Sequence, residues 1–133
     1  MRVLIAEDEG TSRKFLYKYL SQYGECDTVV DGLEALDAVL ISLKDNQPYD
    51  LICLDIMMPK VQGVKVLEYI KKMETQKGLS QDKKSKVIMT TALAETSIVK
   101  NAFDIGCDAY IAKPIDTAKL KDVLVQLGLI DKE

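Results

Sequence analysis

The chain of 133 residues contains no histidine. A Ser-His-Asp triad, a His-ligated zinc site and a phosphohistidine are therefore excluded. Cysteine is scarce: Cys26, Cys53 and Cys107 are odd in number and lack metal-type spacing, so they read as free thiols in a reducing cytoplasm. No apolar run approaches the roughly 20 residues that span a bilayer, and the chain enters a strand-like run at Val3 without a signal peptide. No membrane association is expected. Positive charge is neither dominant nor clustered. The formal charge is −3, and the densest basic run, Asp82-Lys83-Lys84-Ser85-Lys86, reads as a solvated loop, so nucleic acid is not an expected partner.

What is present is an ordinary globular composition, 47% hydrophobic and 29% charged, at the length of one domain spanning residues 1–133. Its organising stretch runs from Tyr49 to Pro59. The apolar run Leu51-Ile52-Cys53-Leu54 ends in Asp55 and is bounded by Asp50 and Pro59. Such a run reads as a strand buried on both faces, and the acid at its tip is expected at a solvent-facing sheet edge.

Four more short apolar runs surround it in sequence. Val3 to Ala6 stops at Glu7-Asp8-Glu9, Cys26 to Val30 forms a second strand, Val87 to Met89 stops at Thr90-Thr91-Ala92, and Ala109 to Ala112 stops at Lys113-Pro114. Helical spacing fills the intervals. Thr11 or Ser12 caps a helix with Leu16, Tyr19, Leu20 and Tyr23, which Gly24 ends in a left-handed turn. Asp31-Gly32 opens a second with Leu33, Leu36, Leu40 and Leu43 on one face; Gly63 precedes a third with Val64, Leu67, Ile70 and Met73. Residues 74–86 read as a polar surface loop. A fourth helix carries Ile98, Val99, Ala102, Phe103 and Ile105, and a fifth, capped near Asp116, carries Leu120, Val123, Leu124 and Leu127. Alternating strands and helices predict an α/β fold, a doubly wound parallel sheet with helices on both faces in three layers.

In such sheets ligands bind outside the carboxyl ends of the strands. That edge would gather Glu7, Asp8, Asp55, Thr91 and Lys113. Each has a plain structural alternative, since strand-end acids cap helices, a β-branched Thr suits a strand, and surface lysines are solvated. The three carboxylates form an oxygen-only cluster without His or Cys, which suits Mg²⁺, with Mn²⁺ as a substitute, rather than zinc. A bound cation leaves positions open for a phosphoryl group, Lys113 pairs with a phosphate oxygen, and Thr91 donates to another. This is equipment for phosphoryl transfer, with Asp55 as nucleophile and an aspartyl phosphate as product.

The pieces Leu4-Ile5-Ala6-Glu7-Asp8-Glu9, Leu54-Asp55-Ile56-Met57-Met58-Pro59 with Gly63, Met89-Thr90-Thr91-Ala92 and Ala109-Tyr110-Ile111-Ala112-Lys113-Pro114 resemble a response-regulator receiver domain of the stand-alone, chemotaxis type. The resemblance implies a flavodoxin-like sheet of five strands in order 2-1-3-4-5 with five helices. It implies that Asp55 becomes a 4-aspartylphosphate, fed by a histidine kinase or a His-phosphotransfer protein of a two-component system. Asp8 and Asp55, with the Met57 backbone carbonyl, would hold Mg²⁺, and Glu7 would act through water; the family usually has Asp at that position. Thr91 and Tyr110 resemble the switch pair, Thr90 being expected on the other face of its strand. Met57 and Leu93 occupy the positions that tune phosphoryl lifetime, and both are apolar. A downstream partner would meet the surface of the fourth helix, fifth strand and fifth helix. With only Asp131-Lys132-Glu133 after that helix, no output domain is expected, and the product would be a cytoplasmic phosphoacceptor rather than an enzyme acting on external substrates.

Terminal effector, relay intermediate and phosphate sink all remain open. Two other classes are disfavoured. A flavin or nucleotide module needs a phosphate-cradling loop after the first strand, where Glu7-Asp8-Glu9 stands. An aspartyl-phosphate phosphohydrolase of the haloacid-dehalogenase type places a second Asp two residues after the nucleophile, where Met57 stands.

Overall fold

The computed structural model describes residues 1–92 and 96–132. Its five strands are β1 (Arg2–Ala6), β2 (Glu25–Val29), β3 (Leu51–Asp55), β4 (Lys86–Thr91) and β5 (Ala109–Ala112). They form one parallel sheet in the order β2-β1-β3-β4-β5. Helices α1 (Gly10–Leu20), α2 (Gly32–Lys44), α3 (Gly63–Lys77), α4 (Thr96–Ile105) and α5 (Thr117–Gln126) make the crossovers.

Alternation along the central strands decides which helices lie on which face. Val3, Ile5, Leu51, Cys53 and Ile88 pack against Leu16 and Leu20 of α1 and Leu120 and Leu124 of α5. Their neighbours Leu4, Ala6, Ile52, Leu54, Val87 and Met89 pack against α2, α3 and α4 through Ala35, Val39, Val66, Leu67, Ile70 and Ala102. Each fully buried Leu or Ile contributes about 1.5–3 kcal/mol, so the two cores hold the sheet from both sides. Because β1 leads outward to β2 while β3 lies on its other side, the strand order reverses between β1 and β3, beside which β4 and β5 follow. All five carboxyl ends share that edge.

Several local expectations are corrected. The cap of α1 is Glu9, whose carboxylate accepts from Thr11 N and Ser12 N, because its longer side chain reaches both free N–H groups. Tyr23 lies beyond the helix, and Gly24 has no left-handed φ; it is needed for room, since a Cβ there would fall 2.1 Å from the Met1 carbonyl oxygen. β2 begins one residue earlier than expected, at Glu25. On α2 the inner face is Ala35, Val39 and Leu43, with Leu33 and Leu40 turned to solvent. Phe103 of α4 is likewise exposed.

The expected loop over 74–86 is the largest correction. α3 continues through Lys77 to a left-handed Gly78, a short 3₁₀ turn follows at Gln81–Lys83, and Glu74 and Ser85 are both buried. Glu74 Oε2 accepts from Ser85 N at 2.8 Å, and Ser85 Oγ donates to the Tyr49 carbonyl at 2.6 Å. Two polar residues therefore tie α3 to the starts of β3 and β4.

Candidate functional site

Glu7 and Asp8 follow β1 directly and Asp55 ends β3, so neighbouring strands deliver all three acids to one place. Their carboxylate oxygens lie within 4.8 Å of one another. Asp8 is exposed, whereas Glu7 and Asp55 are 0% and 2% exposed. The expected solvent-facing tip at Asp55 is thus corrected. The 56–62 loop folds back over it, and Gly63 N donates to the Ile56 carbonyl at 2.9 Å. A Cβ on Gly63 would lie 2.2 Å from the Asp55 carbonyl oxygen, so that return requires glycine. Gly32 performs the same service at the start of α2, where a Cβ would fall 2.2 Å from the Val61 carbonyl oxygen.

Lys113, just after β5, enters from the far side. Its Nζ stands 2.5 Å from Glu7 Oε1 and 3.2 Å from Asp55 Oδ2, with the side chain only 17% exposed, which removes the solvated-lysine alternative. Met57 N donates to Asp55 Oδ1 at 3.1 Å, and Glu9 N donates to Glu7 Oε2 at 3.1 Å. Arg13 of α1 donates to the Glu7 and Asp8 carbonyls at 3.0 and 3.3 Å, which fixes the backbone that carries both acids.

The electrostatics follow from burial. The Asp55 carboxyl is pushed up from 3.8 to about 7, first by burial and then by its hydrogen bonding and repulsion with Glu7. The Met57 N–H and Lys113 act in the opposite direction. Burial alone would lower the Lys113 ammonium, but Glu7 and Asp55 outweigh it and raise its pKa. When all three acids are ionised, Lys113 offsets one charge and the two left over match a divalent cation. An oxygen-only donor set with that surplus is compatible with such an ion.

Glu7, Asp8, Asp55 and Lys113 are therefore brought together. Thr91 ends β4 fully buried, and its carbonyl accepts from Lys113 N at 2.8 Å. Thr90 and Thr91 follow the alternation of Ile88 and Met89, so they face opposite layers. Met57 turns its side chain outward at 49% exposure. Tyr110 is on the surface, its ring edge-on to Phe103 at 6.2 Å between centroids. Leu93 lies outside the described residues. Sequence reasoning missed Arg13, Glu9 and Gly32 as supports. For Glu9 the signal was there: an acid two and three residues before Thr11 and Ser12 can reach their N–H groups.

A five-stranded parallel sheet with an acid cluster and a lysine at its switch edge is the architecture of a phosphoacceptor signalling module. Residues 3–125 match the sequence profile of the response regulator receiver domain, and the chain belongs to that family. Receiver domains are the phosphoacceptors of two-component signalling, not classical enzymes.

Among relatives, the chain is 34% identical to the chemotaxis protein CheY of Treponema pallidum, over 90% of this chain and 76% of that one. It is also 34% identical to the transcriptional regulatory protein DltR of Streptococcus agalactiae, over 90% of this chain and 48% of the relative. It spans only 4% of the hybrid signal transduction histidine kinase G of Dictyostelium discoideum, at 30% identity. Among solved structures, the CheX–CheY–BeF₃–Mg complex from Borrelia burgdorferi matches with a TM-score of 0.79 and 30% identity, over 98% of this chain and 90% of that one. The receiver domain of Saccharomyces cerevisiae Ssk1, solved with the phosphotransfer protein Ypd1, shares the fold with a TM-score of 0.82 at 22% identity, over 100% of this chain and 94% of that one. No helix among the described residues is long and apolar enough to cross a membrane.

Proposed function

We propose that residues 1–133 act as one receiver domain in which Asp55 takes a phosphoryl group from a phosphohistidine on a histidine kinase or a His-phosphotransfer protein. The observation that carries the proposal is the double reach of Lys113, at 2.5 Å from Glu7 and 3.2 Å from Asp55. A buried ammonium that bridges two acids can exchange Asp55 Oδ2 for a phosphoryl oxygen once the bond to Asp55 forms.

In the reaction an Asp55 carboxylate oxygen attacks phosphorus and forms the O–P bond. The donor's N–P bond breaks, its electron pair stays on the imidazole, and the ring nitrogen takes up a proton. Asp8, Asp55 and the Met57 carbonyl would hold Mg²⁺, or Mn²⁺ in its place, with Glu7 acting through water. Bound there, the ion would neutralise charge on the phosphoryl oxygens. Thr91 donates its hydroxyl to a phosphoryl oxygen, and Tyr110 turns inward from its place beside Phe103. That movement would change the α4, β5 and α5 surface that a downstream protein reads.

The histidine phosphotransfer protein seen with the yeast receiver supports the class of partner. Three free cysteines suit the cytoplasm as the compartment. Incubation with acetyl phosphate and Mg²⁺, followed by intact-mass measurement, tests the central step. Wild type is expected to gain one phosphoryl group and Asp55→Ala none. A wild type that stays unmodified with acetyl phosphate and with phosphorylated donor proteins defeats it.

A further inference from the structure

The outward face of α2 is apolar without serving the core. Leu33, Leu40 and Ile41 are 49%, 41% and 58% exposed, and Val30, just before the helix, is 41% exposed. Ala35, Val39 and Leu43 already hold the inner face. At 3.6 residues per turn, Leu33, Asp37, Leu40, Ile41 and Lys44 fall within an arc of roughly 100°. Positions 33, 37, 40 and 44 have the four-three-four spacing of a helix-pairing seam.

Two of those positions carry opposite charge. Asp37 and Lys44 are exposed, and neither forms an ion pair with another described residue. They lie two helical turns apart on the same stripe. When a second α2 runs antiparallel about a two-fold axis, Asp37 of each copy meets Lys44 of the other. The same register sets Leu40 against Ile41 of the second copy, twice, so an apolar centre is flanked by two ion pairs.

We propose that this face pairs with α2 of a second copy of the chain in that antiparallel register. The charges argue for a second copy over a foreign protein. A partner surface of one sign would satisfy one of Asp37 and Lys44 and leave the other facing like charge, whereas a second copy satisfies both. The apolar centre supplies the attraction, and the charged positions fix register and orientation. A contact one helix wide belongs to the weak, concentration-dependent class of interfaces.

Sedimentation equilibrium of the full chain over a wide concentration range provides the test. The wild-type mass is expected to climb toward twice the monomer. Asp37→Lys and Lys44→Asp are each expected to remain monomeric, because each places like charges opposite one another. An equimolar mixture of these two variants is expected to associate again, since each supplies the charge the other now lacks. Circular dichroism verifies that both keep their helices, as exposed positions allow. A wild type that is monomeric throughout, single variants that associate as wild type does, or a mixture that fails to recover would each overturn the proposal.

Discussion

Lys113 Nζ lies 3.2 Å from Asp55 Oδ2, although 58 residues separate the two in the chain. The contact joins the ends of β5 and β3 across the intervening β4, and it places a positive charge where an isolated acid cluster would otherwise repel itself. One lysine is not enough. Burial and Glu7 still raise Asp55 to about 7, so Lys113 does not cancel the cost of holding that charge beside Glu7.

That shift sets a pH dependence with a definite sign. Between 3.8 and about 7 the folded chain holds a proton on Asp55 that the unfolded chain has released. Stability from this group is present at low pH and is lost as pH rises through that window, by at most about 1.4 kcal/mol per unit. Urea titrations in EDTA are therefore expected to show Asp55→Asn more stable than wild type at pH 8, by on the order of 2 kcal/mol, with the gap closing toward pH 4. Mg²⁺ should stabilise wild type far more at pH 8 than at pH 5, and should do little for the variant. A gap that is constant with pH would refute the assignment.

Gly63 offers a test of how tightly the backbone holds the nucleophile. A Cβ would sit 2.2 Å from the Asp55 carbonyl oxygen and 2.7 Å from Ile56 Cα, and both are backbone atoms that cannot swing aside. Gly63→Ala must displace the end of β3 or the start of α3. The expected results are a stability loss of about 2 kcal/mol and phosphorylation by acetyl phosphate slowed about tenfold, as a barrier rise of about 1.4 kcal/mol would produce. Wild-type kinetics in this variant would show that the close approach is dispensable.

Away from the site, Glu74 is a buried carboxylate whose charge is met by Ser85 N at 2.8 Å and Lys71 at 3.7 Å. Glu74→Ala strands the Ser85 N–H and is expected to cost about 2–3 kcal/mol in denaturant unfolding. Glu74→Gln keeps an acceptor for that N–H and is expected to cost less. Because the pair lies at the starts of β3 and β4, opposite the acid cluster, phosphorylation of the folded fraction should be unchanged in both variants.

The contrast between these residues explains what was legible in the sequence. Asp55 and Lys113 could be placed because each ends an apolar run, and parallel strands with right-handed crossovers send all such ends to one edge. The acid pair Glu7-Asp8 came with the same pattern, whereas the strand order came only with the resemblance to receiver domains. Glu74 could not be placed, because its partner is a backbone N–H eleven residues away that carries no side-chain signature. The phase of α2 failed for another reason. With leucines at 33, 36, 40 and 43 and Ala35, Val39 and Ile41 between them, more than one face is apolar, and helical period alone cannot say which turns inward. The burial of Asp55 escaped as well, because it depends on the 56–62 loop folding back through Gly63.

We propose that Met57 bears on how long the signal lasts. Its N–H is committed to Asp55 Oδ1 at 3.1 Å, while its thioether side chain projects outward at 49% exposure, beside the acid but unable to orient water. The resemblance to receiver domains implies that this position and Leu93 influence removal of the phosphoryl group, and neither apolar side chain can orient an attacking water. Met57→Asn with Leu93→Glu would provide both. The double variant, phosphorylated with acetyl phosphate and followed by intact mass after the donor is removed, is expected to lose its phosphoryl group about tenfold faster, equivalent to about 1.4 kcal/mol off the hydrolysis barrier. Stability should hardly change with Met57→Asn alone, because the Met57 side chain is half exposed. Loss at the wild-type rate or slower would mean that access to the acid, rather than orientation of water, sets the lifetime.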